Sequence, residues 1–85
     1  MYSVYQVILT ERAVKDIERL EKGIKRRIGE KIREYAEDPL HYARKLVNSA
    51  IGEYRFRIGD YRAIFDIDDD RIVILRVGHR REIYR

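Results

Sequence analysis

The sequence predicts an α+β fold: a strand, a two-helix hairpin, then an antiparallel three-stranded meander, with the helices packed on one face of a four-stranded sheet. Three observations predict it. Apolar and polar residues alternate in four separate runs, "YSVYQVIL", "EYRFRI", "YRAIFDI" and "RIVILRV". Between the first run and the second, apolar residues recur at helical spacing. The last three runs are joined by connections so short that their strands must lie antiparallel. With 85 residues and no linker, repeat or low-complexity segment, the chain is read as one domain over residues 1–85.

Each element has a local reason. Residues 2 to 9 carry Val4, Val7, Ile8 and Leu9 and form the first strand. Thr10 is placed to cap a helix whose apolar face is Ala13, Val14, Ile17 and Leu20, and Gly23 punctuates that helix. Ile24, Ile28, Ile32, Tyr35 and Ala36 form the apolar stripe of a second helix, which Asp38-Pro39 stops. Gly29 inside it costs about 1 kcal/mol relative to alanine, which suggests close packing against a neighbour. Residues 40 to 51 read as irregular, anchored by Leu46 and Val47. Gly59-Asp60 and the acidic stretch Asp68 to Asp70 supply the two turns of the meander.

Composition excludes several chemistries. No cysteine is present, so disulfides and thiolate nucleophiles are absent, which is compatible with a reducing compartment. The longest apolar stretches, such as "IVIL", fall far short of a membrane span, and the N-terminus lacks a basic leader; no membrane association and a cytoplasmic location are expected. His41 and His79 are the only histidines, so neither a metal site nor a cofactor is expected. There is no glycine-rich phosphate loop and no nucleophile-elbow context around Ser3 or Ser49.

The charge is informative. The net charge is +4, which favours polyanionic partners. From Ile51 onward every cation is an arginine: Arg55, Arg57, Arg62, Arg71, Arg76, Arg80, Arg81 and Arg85. Arginine's planar fork grips phosphate through two bonds, as lysine cannot. A compositional bias of the source organism would give the same pattern. Placing glycine first in a two-residue turn sets the register of "EYRFRIGDYRAIF" by counting outward. Ile58 then pairs with Tyr61, Arg57 with Arg62, Phe56 with Ala63 and Arg55 with Ile64. Tyr54, Phe56, Ile58, Tyr61, Ala63 and Phe65 share the core face, while Arg55, Arg57 and Arg62 share the other. Like charges directly across a strand pair are destabilising. Either a polyanion lies across them, or nearby acids such as Asp66 or Glu82 neutralise them. Beyond Gly78, which permits a bend, His79, Arg80, Arg81 and Tyr84 crowd together; His79 alone has an unperturbed pKa near neutrality.

The element order, "YRFRIGDYRAIF" with its G-D-Y-R core, and the closing "VGHRREIY" resemble the RelE/ParE superfamily of toxins over essentially the whole chain. The resemblance to its RelE branch implies a toxin of a type II toxin–antitoxin system. Such a toxin is a ribosome-dependent endoribonuclease that cuts mRNA in the A site without a metal. The 2′-hydroxyl attacks, and a 2′,3′-cyclic phosphate is left. By the same resemblance Arg62 contacts the scissile phosphate, Arg80 lies beside the leaving oxygen, and Tyr84 stacks on and orients the substrate. His79 joins them as a candidate catalytic residue, and Arg55, Arg57, Arg81 and Lys45 are the expected RNA- and phosphate-binding residues.

One match departs from the family. Arginines stand at 55 and 57 where lysines are frequent, and arginine cannot accept a proton. Proton abstraction would then fall to His79, Tyr84, or a ribosomal or solvent group. The implied partners are the ribosome and mRNA, a cognate RelB-like antitoxin, and operator DNA through that antitoxin only. Two alternatives stay open: a ParE-like inhibitor of DNA gyrase, and a degenerate module that binds only its antitoxin or RNA.

Overall fold

The computed structural model describes residues 5–84. Residues 2 to 4 of the expected first strand, and Arg85, lie outside them. Strand β1 (Gln6–Leu9) is followed by helices α1 (Glu11–Glu18) and α2 (Lys22–Tyr35). A single turn of helix, α3 (Pro39–Tyr42), leads into a short strand β2 (Ala43–Lys45). The chain closes with β3 (Tyr54–Ile58), β4 (Tyr61–Asp68) and β5 (Arg71–His79). The sheet therefore has five strands, not four, in the order β1-β5-β4-β3-β2. The stretch expected to be irregular contains the fifth, which lies antiparallel to β3. β1 lies parallel to β5, so the first strand is joined to the last.

The helices bury one face of the sheet. Thr10 caps α1 by accepting a hydrogen bond from the Ala13 N–H at 3.2 Å. Its hydroxyl also donates to the Ile74 carbonyl at 2.9 Å, which ties the start of the helix to β5. Ala13 from α1 and Ile28, Ile32 and Ala36 from α2 and its end pack on Phe56, Ile58, Ala63, Phe65, Ile72, Ile74 and Val77. Burial of this apolar set supplies most of the driving force for folding.

Several expectations are corrected in detail. Gly23 lies in the first turn of α2, because α1 has already ended at Glu18. A Cβ on Gly29 would meet only the Arg33 guanidinium at 3.8 Å, so no neighbour packs tightly there. Val14 is exposed, and Val47 is 84% exposed rather than an anchor.

The other face is only partly covered. The loop from Leu46 to Glu53 folds over one end of it. There Gly52 lies so close that a Cβ would come within 2.8 Å of both Ile64 and Leu75. Leu75 is the extra residue in a bulge where β4 and β5 shift register. The turn after β5 folds over the opposite side, with Ile83 buried against Gly78. Gly78 does not bend the strand, which runs on to His79. It makes room for Ile83, since a Cβ there would stand 3.1 Å from its Cδ1. Between these two coverings the hairpin end of the sheet stays open.

Candidate phosphate-binding site

The open region is built on the β3–β4 hairpin. Gly59 has φ +59° while Asp60 has not entered the left-handed region, as a turn with glycine first requires. The register follows: Ile58 with Tyr61, Arg57 with Arg62, Phe56 with Ala63, Arg55 with Ile64. These are the pairs the sequence predicts. Arg55, Arg57 and Arg62 therefore share the face away from the helices.

Arg62 is the centre of the site. It is only 8% exposed, the one charged residue in the buried set. Its guanidinium donates to the carbonyl oxygens of Gly59 at 2.9 Å and Tyr61 at 2.8 Å. Among the described residues no carboxylate pairs with Arg55, Arg57 or Arg62. Asp66, one expected neutraliser, accepts a hydrogen bond from the Glu53 N–H at 2.8 Å. Glu82, the other, lines a cleft on the α1 side with Asp16, Arg19 and Arg76. Burial, and then the charges of Arg55, Arg57 and Arg80, lower the pKa of Arg62; the Tyr84 phenol opposes them. All four side chains thus act on one guanidinium.

The C-terminal turn brings two of these groups. The Arg80 N–H donates to the Asp60 carbonyl at 2.8 Å, and its guanidinium stands 3.7 Å from the Asp60 carboxylate. Both side chains of that pair are exposed, so it contributes little and yields readily to a stronger anion. Tyr84 is 48% exposed and lies against the loop containing Leu46, Asn48 and Ile51. Its position is set by Ile83, which seals over Gly78, the cross-strand partner of Arg62.

Three sequence-predicted residues are not brought to this cluster. His79 pairs with Tyr61 and stands edge-on to its ring at 5.4 Å, on the side of the sheet that α1 covers. Its Nδ1 accepts a hydrogen bond from the Arg81 N–H at 3.2 Å. Because the strand continues through Gly78, His79 follows the inward parity of Val77. Lys45 pairs with Tyr54, whose ring stacks on Phe65 in the core, and so belongs to the helix side. Arg81 is exposed in the turn, where its N–H bonds to His79. One residue was missed. Arg44, directly across from Arg55, joins the arginine face. The signal was the three-residue strand itself, in which an inward Ala43 turns its neighbour outward.

The arrangement can hold a phosphodiester: several forks, one of them buried and pre-positioned, with no described acid paired to Arg55, Arg57 or Arg62. Known proteins resemble the chain as a whole. A family model described as the ParE toxin of the type II toxin–antitoxin system parDE matches residues 7–84. The chain belongs to the RelE/ParE superfamily of type II toxins. Toxin RelG of Mycobacterium tuberculosis is 34% identical over 84 residues, which are 95% of this chain and 97% of RelG. A chain of the RelBE2 toxin–antitoxin complex from the same organism superposes with a TM-score of 0.84 at 30% identity, covering 93% of this chain and 94% of that one. A chain of the archaeal RelE–RelB complex from Pyrococcus horikoshii superposes at 0.74 with 29% identity, over 93% of this chain and 98% of that one. Among the described residues of this RelE/ParE-family toxin, no helix is long and apolar enough to cross a membrane.

Proposed function

We propose that this toxin is a metal-independent mRNA endoribonuclease that works in the ribosomal A site and is held inactive by a RelB-like antitoxin. One observation carries the reading: Arg62 is buried within the field of Arg55, Arg57 and Arg80 with Tyr84 nearby, and of these four arginines only Arg80 has a described carboxylate, the exposed Asp60. A cluster of this kind costs stability until an anion enters it.

In the proposed reaction the 2′-oxygen bonds to phosphorus as the bond from phosphorus to the 5′-oxygen breaks. The products are a 2′,3′-cyclic phosphate and a 5′-hydroxyl. Arg62 holds the non-bridging oxygens, where charge accumulates, and Arg55 and Arg57 add to that stabilisation. Arg80 meets the leaving oxygen and releases Asp60 to do so. Tyr84 stacks on a base and fixes the angle of attack. The proton from the 2′-hydroxyl must pass to an unprotonated acceptor, which no arginine can be, and the leaving 5′-oxygen takes up a proton from solvent or a ribosomal group. With His79 on the far side of the sheet, the acceptor is Tyr84 in its deprotonated form, or a ribosomal or solvent group.

A second reading, gyrase inhibition, is favoured by the description of the matching family model as a ParE toxin. One experiment separates the two. Purified toxin is added to programmed ribosomes with an empty A site, and separately to gyrase with relaxed plasmid. Codon-spaced mRNA cleavage that Arg62→Ala abolishes supports the nuclease. Intact mRNA with blocked supercoiling replaces it by the second reading. Neither effect leaves a module that only binds its antitoxin or RNA.

A further inference from the structure

We infer that Arg44 binds the substrate strand: the RNA backbone crosses the sheet from Arg62 on β4, over Arg55 and Arg57 on β3, to Arg44 on the β2 edge. This rests on the nuclease reading, and adds a contact that neither that reading nor the sequence motifs include.

The register carries the inference. Arg44 and Arg55 are direct cross-strand partners, as are Arg57 and Arg62. Two like-charged pairs thus stand side by side on three consecutive strands, all on the face without helices. Each pair is unfavourable alone. No described carboxylate lies within 4 Å of Arg44 to offset it, although acids pair with Arg12, Arg71, Arg76 and Arg80 elsewhere in the chain. Neighbouring strands are about 4.8 Å apart, so the row extends about 10 Å across the sheet. Between Arg57 and Arg55 it also steps about 6.6 Å along β3, so the row runs diagonally, and it ends at an open edge, since β2 pairs only with β3 among the described residues. A single strand laid along the row meets a guanidinium at each step and leaves over Arg44 without obstruction. The alternative routes are narrower: the loop at Gly52 closes one end of this face and Ile83 closes the β5 side.

Lys45 provides the control. It is adjacent in sequence, has the same charge and is equally exposed, yet its register partner is Tyr54 and its face is the helix side. Loss of either residue changes the net charge by one, so general electrostatics predicts equal effects and the proposed track predicts unequal ones.

The probe is a 2′-O-methylated single-stranded RNA, which lacks the attacking hydroxyl and stays intact. Its binding to the full-length toxin is followed by fluorescence anisotropy across a salt series. Arg44→Ala and Arg44→Gln are expected to weaken binding about 3–10-fold and to reduce the slope of log affinity against log salt by about 0.7, one phosphate contact on a single strand. Lys45→Ala should keep the wild-type slope. In ribosome-dependent cleavage the Arg44 variants should raise KM and leave kcat nearly unchanged. Wild-type slopes in the Arg44 variants, or equal losses for Lys45→Ala, overturn the track while cleavage by the wild type still stands. If the wild-type toxin shows no salt-dependent RNA binding, the track is overturned, while the nuclease reading stands or falls on cleavage in programmed ribosomes.

Discussion

Arg62 and Arg76 sit on adjacent strands, and both are largely withdrawn from solvent, but their surroundings differ completely. Arg76 donates through Nε to Asp16 at 2.8 Å, and the same carboxylate accepts the Val77 N–H at 3.0 Å. Asp16 thereby satisfies both a cation and a β5 backbone donor that lies beyond the reach of β1, whose pairing ends at Ile74. Arg62 has only two carbonyl oxygens and a ring of other cations. The first is a finished structural contact. The second has no acid to balance it among the described residues, and the proposed reaction gives it one in the substrate phosphate.

The largest effect expected from this contrast is on catalysis. Arg62→Ala should lower the cleavage rate by about 10²–10³-fold, the usual cost of removing one pre-positioned donor to developing charge. Its stability in urea should change by less than about 1 kcal/mol, because the two freed carbonyls are offset by relief of repulsion. A loss of several kcal/mol would make Arg62 a structural residue and erase the comparison.

Next in size is the partner of Arg76. Asp16→Asn should cost about 2–3 kcal/mol in urea unfolding, as the carboxylate of a largely buried ion pair is lost. The acid dependence gives a sharper test. Burial pushes the Asp16 carboxyl up, but the hydrogen bonds from Arg76 and Val77 and the charges of Arg76 and Arg12 more than offset it, so its pKa lies below the ordinary value. A folded-state pKa below the unfolded one gives stability that is present above about pH 4 and is lost as pH falls through the folded value. Wild type should therefore lose this increment as pH falls below about 4. Asp16→Asn should lack that part of the slope.

The smallest effect has the opposite sign. Arg57→Ala removes a cation directly across from Arg62 and should raise stability by about 0.2–1 kcal/mol. Sulfate should raise the melting temperature of the wild type more than that of this variant. A destabilised Arg57→Ala protein would mean that the cluster is already neutralised.

What was legible in the sequence depended on how much of each element's geometry it contains within itself. The β3–β4 register was readable to the residue, because a glycine-first turn and a strict alternation both count from the same point. β2 was not readable. Its three residues contain too little alternation to signal a strand, and its place is set by β3 and by the Leu46 N–H bonding to the Glu53 carbonyl. Missing it exchanged Lys45 for Arg44. His79 was misplaced because Gly78 suggests a bend, whereas its missing side chain is needed by Ile83, a contact formed only in three dimensions. Arg62, Arg80 and Tyr84 were named by motif resemblance alone, and that Arg80 and Tyr84 lie near Arg62 required the coordinates.

The parallel pairing of β1 with β5 bears on how the toxin comes into being. During synthesis Gln6–Leu9 emerges early but has no hydrogen-bonding neighbour until Arg71–Ile74 has been made. Contacts of such long sequence separation form late and slowly. The nascent polypeptide therefore lacks a completed sheet, and with it the β4–β5 frame that carries Arg62, while most of it is being translated.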